Sequence, residues 1–312
     1  MRQLGRIVLV GAAGLALVRL AGLDTGTMLS APVALLPLAA LPTAAVLVLF
    51  LRHRSRWWSA AAAVVLLVQL VWLVPRFVPD RTGAPPGVAT LRVGTVNAFV
   101  SQADPAALVA FVREQRLDVL AVQELYLDAA AAVDRAGMRT LMPYRELHPE
   151  IDTSLYSRLP LNPGRLGQGG LLTRPTTWPQ TTAEVQVGPR TVTLIGVHTY
   201  YPLGNAGWWT RDLAELAVAA GQAGPDLIML GDFNASVDHA PMRTLLDTGL
   251  VDVNAELGHG WAPTWPADRI MPPLVQLDHV LHGPGLAAIW AGRQRVPGSD
   301  HLAVVADLVL LP

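Results

Sequence analysis

Three long apolar stretches fill the first quarter of the chain, after which the pattern changes to short apolar runs broken by turns. Ile7 to Leu23 is nearly uncharged, with Arg19 its exception, and Met28 to Leu51 and Ser59 to Val74 carry no charge. Each approaches the ~20 residues that cross a bilayer, the third being the shortest. A secretory signal peptide accounts for the first at most, because two more follow with no cleavage pattern between them. The pattern therefore predicts a membrane domain over 1–78 with three transmembrane helices.

Residues 79–90, with Pro85-Pro86-Gly87, show no period and predict a stiff linker. Residues 91–312 suffice for one large-cored domain. Leu91 to Val96 predicts a strand ending at Asn97. Asp104-Pro105 is a helix start, with an N-cap followed by proline, and the helix runs to about Arg116. Asp118 to Val122 predicts a strand that delivers Gln123-Glu124, and a helix over 126–136 stops at Gly137. Thr153 to Tyr156 and Gly170 to Leu172 predict short strands of one sheet. Glu184 to Val187 and Thr191 to Val197 predict a hairpin around Gly188-Pro189, ending at His198. A helix follows over 208–220, then a buried strand Asp226 to Leu230, a helix Asp238 to Leu246, and strands Leu274 to Leu281 and Leu302 to Leu310. Strands outnumber helices, and polar residues gather where strands end. That is the layout of an α/β sandwich with its site along one rim.

Charge separates the two parts. Residues 1–80 carry seven Arg against two Asp, and residues 81–312 carry sixteen Arg against twenty-two Asp and Glu, with no Lys anywhere. An acidic C-terminal domain lacks the basic footprint of a nucleic-acid binder. Arg2 and Arg6 precede the first apolar stretch and Arg52, Arg54 and Arg56 crowd the second loop, whereas the first loop has no positive charge. The positive-inside rule then sets the N-terminus and the second loop in the cytoplasm and everything after Arg76 outside it. Cysteine is absent, so neither disulfides nor thiolates contribute.

The candidate chemistry centres on Gly231-Asp232-Phe233-Asn234. A carboxylate and a carboxamide two residues apart at a strand end can share a site, the first for a hard cation or an attacking water, the second for a phosphate oxygen. A simple turn is the competing reading, since Asp and Asn favour turns for their own backbone hydrogen bonds. Glu124 is the second signal: a carboxylate directly after Val-Leu-Ala-Val is costly to bury unless ionised against a metal or partner.

Taken in order, Thr95-Val96-Asn97, Gln123-Glu124, Ser157-Arg158-Leu159-Pro160, Val197-His198, Gly231-Asp232-Phe233-Asn234, Thr264-Trp265-Pro266, Leu277-Asp278-His279 and Ser299-Asp300-His301 resemble the motifs of the endonuclease/exonuclease/phosphatase superfamily. The resemblance covers about residues 90–310. It implies a four-layered, DNase I-like α/β sandwich, here preceded by three transmembrane helices, that hydrolyses phosphoesters with a divalent metal. Glu124 is implied as the main metal ligand, with Asn97, Asp232 and Asp300 on the metal side. Asp278 is implied to orient His301 over the scissile phosphate, and Asp232 to position or deprotonate the attacking water. Asn234 then holds that water or a phosphate oxygen, His198 contacts the phosphate or leaving group, and Arg158 contacts substrate. Mg²⁺ is the implied metal, with Mn²⁺ and Ca²⁺ open. One departure stands out: Asp152-Thr153-Ser154 is less glycine-rich than the family pattern.

The layout of the whole chain resembles the membrane-anchored actinobacterial members linked to glycopeptide (teicoplanin) resistance. That resemblance implies a membrane-bound phosphoesterase with the lipid bilayer as partner and a lipid-linked phosphate of the undecaprenyl pyrophosphate type as substrate, at the outer face of the cell membrane. Tyr200, Tyr201, Trp208 and Trp209 are either an apolar lip for such a lipid or ordinary packing. A surface-tethered nuclease, a phospholipid phosphodiesterase and a non-catalytic binding module are the alternatives.

Overall fold

The computed structural model describes every residue except 81–88, 149–151, 167–169, 173–175 and 269, so most of the expected linker lies outside the described residues. The chain opens with helices α1 (Arg2–Ala21), α2 (Ser30–Val33), α3 (Leu36–Arg52) and α4 (Arg56–Leu73), the last followed by a 3₁₀ turn, Val74–Phe77. α1 stops at Gly22, whose left-handed φ of 64° allows its N–H to cap the helix end. The apolar stretch from Met28 to Leu51 is not one helix, as expected, but two. Pro32 and Pro37 each lack a backbone donor, and α3 starts afresh with proline in its first turn. What remains is a 17-residue apolar helix. Among the described residues, two segments, Arg2–Ala21 and Arg56–Phe77, are long and apolar enough to cross a membrane.

Thereafter come β1 (Thr90–Asn97), α5 (Pro105–Gln115), β2 (Val119–Gln123), α6 (Leu127–Arg135), α7 (Met138–Leu141), β3 (Tyr144–His148), β4 (Thr153–Ser157), β5 (Leu161–Pro163) and β6 (Leu171–Leu172). The second half adds β7 (Gln180–Val187), β8 (Arg190–His198), α8 (Pro202–Ala223), β9 (Leu227–Asp232), α9 (Ala240–Leu246), β10 (Val251–Asp252), α10 (Val253–Glu256), β11 (Asp278–His282), β12 (Leu286–Arg295) and β13 (Leu302–Leu310).

Two sheets form, in the orders β12-β13-β1-β2-β4-β3 and β10-β11-β9-β8-β7-β5, with β6 beside β7. Their inner faces meet through Leu91, Val93, Val119 and Leu155 on one side and Val185, Leu194, Ile228, Leu230 and Val280 on the other. The alternate residues face outward: Val96, Leu120 and Val122 pack under Leu108, Phe111 and Val112 of α5. On the second sheet, Ile195, Val197 and Met229 pack under Trp209, Leu213 and Leu216 of α8. Period-two strands covered by helices on both outer faces give four layers, α/β/β/α.

Several expectations are corrected. Gly170–Leu172 does not share a sheet with Thr153–Tyr156, since β6 pairs β7 in the other layer. The helix expected from Trp208 begins at Pro202, with a break at Asn205. Asp238 lies ahead of α9, and β11 begins only at Asp278. β12, ten residues long, went unread: its outward Ile289 and Trp290 and a register shift between Ala288 and Trp290 break the alternation.

Register carries the site. Parallel pairing sets Asn97 beside Gln123, and His198 beside Asp232. Antiparallel pairing sets Asp278 opposite Asp232. Gly231 permits the β8–β9 approach, because a Cβ there would lie 1.9 Å from the Val197 carbonyl oxygen.

Candidate active site

The rims of the two sheets meet through one amide. Asn97 Nδ2 donates to Glu124 Oε1 at 3.0 Å and to Asp232 Oδ2 at 3.1 Å, joining β1, the end of β2 and β9. Asn97 Oδ1 accepts the Phe99 N–H at 2.8 Å, which leaves its second lone pair available. Glu124 Oε2 accepts the Val100 N–H at 2.6 Å. Asp232 Oδ1 accepts the Asn234 N–H at 2.8 Å, and Asn234 Nδ2 donates to the Thr199 carbonyl.

Two imidazoles flank Asp232, each oriented the same way by a carboxylate. His301 Nδ1 lies 2.7 Å from Asp278 Oδ2, and His198 Nδ1 lies 3.0 Å from Asp152 Oδ2. Both rings therefore turn Nε2 toward Asp232 Oδ2, at 3.8 and 3.9 Å. His198 Nε2 is also 3.8 Å from Glu124 Oε1, and His301 Nε2 is 3.8 Å from Asp300 Oδ1. These separations are too long for direct hydrogen bonds and leave space for a bridging atom. Asp300 Oδ2 accepts from Trp265 Nε1 at 3.2 Å.

Charge is concentrated in this gap. Burial pushes the Asp232 carboxyl up, and the neighbouring Asp278 carboxylate pushes it further, against the two imidazoles. For His301 burial favours the neutral ring, but Asp278 and Asp232 outweigh it and raise its pKa to about 10. His198 follows the same logic: burial opposes its charge, while Asp152, Asp232 and Glu124 raise it overall. Glu124, Asp152, Asp232, Asp278 and Asp300 thus face two imidazoles. Among the described residues, no Arg side chain makes a hydrogen bond or ion pair with these carboxylates. Ligand atoms of Asp232, Asp278 and His301 lie within 4.8 Å of one another, and Asp278 Oδ1 is buried without a hydrogen-bond partner. A surplus of hard oxygen donors with unmet capacity fits a divalent cation.

Three residues here, Glu124, Asp152 and Asn234, hold left-handed φ values of 57°, 78° and 47°. Such backbone persists only where surroundings over-determine it.

The structure brings together Asn97, Glu124, His198, Asp232, Asn234, Asp278, Asp300 and His301, as expected. Arg158 is the exception. β4 runs antiparallel to β2 and carries Asp152 at the site end and Arg158 at the far end, where Arg158 is ion-paired with Asp118. It is therefore withdrawn as a substrate contact. Asp152, which sequence reading passed over, takes a place beside His198. Trp209 is fully buried in the α8 layer, whereas Tyr201 and Trp208 are exposed and stack or pack on Tyr200, which in turn meets Trp178 and through it His198.

Comparison with known proteins agrees with this geometry. Residues 94–301 match the model of the Endonuclease/Exonuclease/phosphatase family. An endonuclease/exonuclease/phosphatase from Beutenbergia cavernae has a similar structure at 19% identity, covering 71% of this chain and 72% of that one, with a TM-score of 0.54. A family protein from Bacteroides thetaiotaomicron superposes at 14% identity over 72% of this chain and 99% of that one, with a TM-score of 0.56. A humanized D. rerio TDP2 does so at 16% identity over 70% and 98%, with a TM-score of 0.54. At such identities the likeness is one of fold. No curated protein matches the chain.

Proposed function

The chain belongs to the endonuclease/exonuclease/phosphatase family, and from that premise we propose that it is a membrane-anchored phosphoesterase acting on a lipid-linked phosphate or pyrophosphate of the undecaprenyl pyrophosphate type. The phosphoryl group lies in the gap bounded by Asp232, His198, His301, Glu124 and Asp300. Glu124, Asp232 and Asp300 would hold a divalent cation there, most simply Mg²⁺, which when bound would neutralise phosphoryl charge. Asp232, whose raised pKa makes its carboxylate a stronger base than an ordinary one, holds the attacking water and accepts its proton as the new O–P bond forms. His301, kept protonated by Asp278, donates to a phosphoryl oxygen and stabilises its charge. Protonated His198, held by Asp152, gives its Nε2 proton to the leaving oxygen as the old P–O bond breaks. Asn234 steadies the water or a phosphoryl oxygen from its turn beside Thr199.

The observation that carries the lipid part is the apolar surround of this site. Val100, Leu127, Tyr201, Leu203 and Trp208 are exposed on the segments that directly follow β1, β2 and β8, and Trp265, which bonds Asp300, is exposed as well. Exposed large apolar residues scattered singly mean little, but Tyr201 and Trp208 meet on Tyr200, which reaches His198 through Trp178, and such a contiguous group beside a site marks an interaction surface. The bundle supports the anchor. Its first loop touches the catalytic half, with the Gly26 N–H donating to Thr210 Oγ1 at 2.9 Å, and Arg52, Arg54 and Arg56 stand at its other turn. With the 17-residue α3 crossing beside the two longer segments, three crossings with those arginines in the cytoplasm leave the catalytic half outside.

The test is an assay of the full chain in detergent with Mg²⁺, offering polyprenyl pyrophosphate, a phospholipid and DNA in parallel. Release of phosphate from the polyprenyl substrate is expected. Preferred cleavage of DNA would replace the lipid reading with that of a tethered nuclease, and protease added to intact protoplasts should remove the catalytic half.

A further inference from the structure

A few residues beyond Asp232 the chain reaches Asp238, a fully buried carboxylate that the proposed reaction does not use. Its partners come from the helix bundle. Arg19 Nε of α1 donates to it at 2.9 Å, and both Nη atoms of Arg76, in the 3₁₀ turn after α4, donate at 2.6 and 3.0 Å. Arg243 of α9 closes the same knot, one Nη donating to the Asp238 carbonyl and the other to the Arg19 carbonyl at 2.9 Å. Burial alone would favour the neutral acid, but Arg76 and Arg19 outweigh it and hold the Asp238 carboxyl below the usual range.

The next two residues repeat the attachment. The Ala240 N–H donates to Asp24 Oδ2 at 2.7 Å. Ser236 N–H points at His239 Nδ1 from 2.8 Å, and a backbone amide can only donate, so Nδ1 accepts. The proton of this ring is then on Nε2, which donates to the Ser30 carbonyl at 2.9 Å. Burial, which lowers the pKa of His239, agrees with a neutral ring in that tautomer.

At its other end the same segment is tied into the site. The Asn234 N–H meets Asp232, the Phe233 carbonyl accepts from Thr199 Oγ1 at 2.6 Å, and the Ala235 carbonyl lies 2.8 Å from His279 Nε2. From Asp232 to Ala240 the backbone has little slack, and within it Asn234 is kept left-handed.

We propose that the membrane helices are part of the catalytic apparatus, because through Asp238 and His239 they hold the Asp232–Asn234 turn in its working geometry. Asp238 is then a positioning residue for hydrolysis. The inference rests on Asp232 and Asn234 belonging to the reaction, though not on which phosphoester is the substrate.

Hydrogen exchange and kinetics on the full chain in detergent test it, with bis(p-nitrophenyl) phosphate as a water-soluble substrate. Asp238→Asn keeps the shape and removes the charge. The amides of Phe233 to Ala235 should exchange about tenfold faster while β8 and β9 stay protected. Turnover should fall about tenfold with KM little changed. Asp238→Glu should recover part of both, and Arg76→Gln, which leaves the sandwich sequence intact, should reproduce the pattern from the bundle side. If Asp238 serves docking only, faster exchange will be confined to residues 22–30 and α9, and turnover on the soluble diester will be unchanged; that result overturns the proposal. Exchange needs no turnover, so an inactive wild type would count against the reaction assigned above while the amides still decide the clamp.

Discussion

In the bundle, Ile7, Leu17, Val48 and Leu67 point outward, and the buried cluster is small, made of Leu9, Val46, Phe50 and Ala62. In the sandwich the large apolar side chains lie between the sheets instead, in a far larger cluster. The polar groups differ as well. Inside the bundle they are neutral (Thr43, Ser59 and Gln69), whereas the sandwich buries Asp232, Asp278, His198 and His301 together at one rim. Large apolar side chains turned outward suit helices surrounded by hydrocarbon, where water exclusion does not drive them inward. Buried charge is expensive anywhere, so its concentration at one rim identifies the place where the chain uses it.

The largest effect should come from removing the cation that this charge implies. Excess chelator should abolish hydrolysis by the full chain, and Glu124→Gln should weaken Mg²⁺ binding by at least about tenfold in a titration while the fold persists. Undiminished activity in chelator would leave the buried acids without their purpose. Next comes His301→Ala, expected to cost ~10²–10⁴ in turnover with a small change in melting temperature. Asp278→Asn should approach it, and the double variant should be hardly worse than the more damaging single one, because the pair acts as a unit. Independent, additive losses would make the two residues separate contributors.

The contrast between exteriors can be tested by placing one residue type in both. Leu67→Asp, near the middle of α4, should cost ~2.5–3.5 kcal/mol of membrane insertion. Val218→Asp, on the exposed face of α8, should stay within about 0.5 kcal/mol. Membrane fractionation and thermal unfolding of the two variants give the answer, and equal tolerance would mean that both exteriors meet water.

The smallest effect is a pH dependence inside the sandwich. His279 Nδ1 lies 2.7 Å from Asp252 Oδ2, both fully buried or nearly so. Burial opposes each charge, but the mutual bond prevails, raising His279 above its ordinary 6.5 and lowering Asp252 below 3.8. The His279 contribution is complete below its unfolded value and is lost as pH rises through the raised native one. The Asp252 contribution is present above its unfolded value and is lost as pH falls through the depressed one. The pair therefore stabilises most between those two ordinary values, and melting temperature should decline on the alkaline side. His279→Gln should flatten that decline; an unchanged slope would assign it to other groups.

Much of this was legible in the sequence, for a physical reason. A buried strand is an apolar run, and a site at its end is the polar residue that breaks the run, as at Asn97, Glu124, His198 and Asp232. Direction was harder to read. β4 runs the other way, so the residue that leads into it, Asp152, is at the site, and the one that follows it, Arg158, is not. Asp152 also sits in a left-handed turn that no hydrophobic period marks. The separation of α2 from α3 depends on prolines inside a stretch whose hydropathy is uniform, and composition alone reads such a stretch as one span.

Gly231 gives the site its scale. The carbonyl of Val197 occupies the volume that any larger residue would need, so two strands stand as close as a missing methyl group allows. His198 and Asp232 are the next residues along those strands, paired in register. The reach from imidazole to carboxylate is thus fixed by a position with no functional group at all. Gly231→Ala would change no acid, base or ligand, yet it would alter the distance over which a proton must travel.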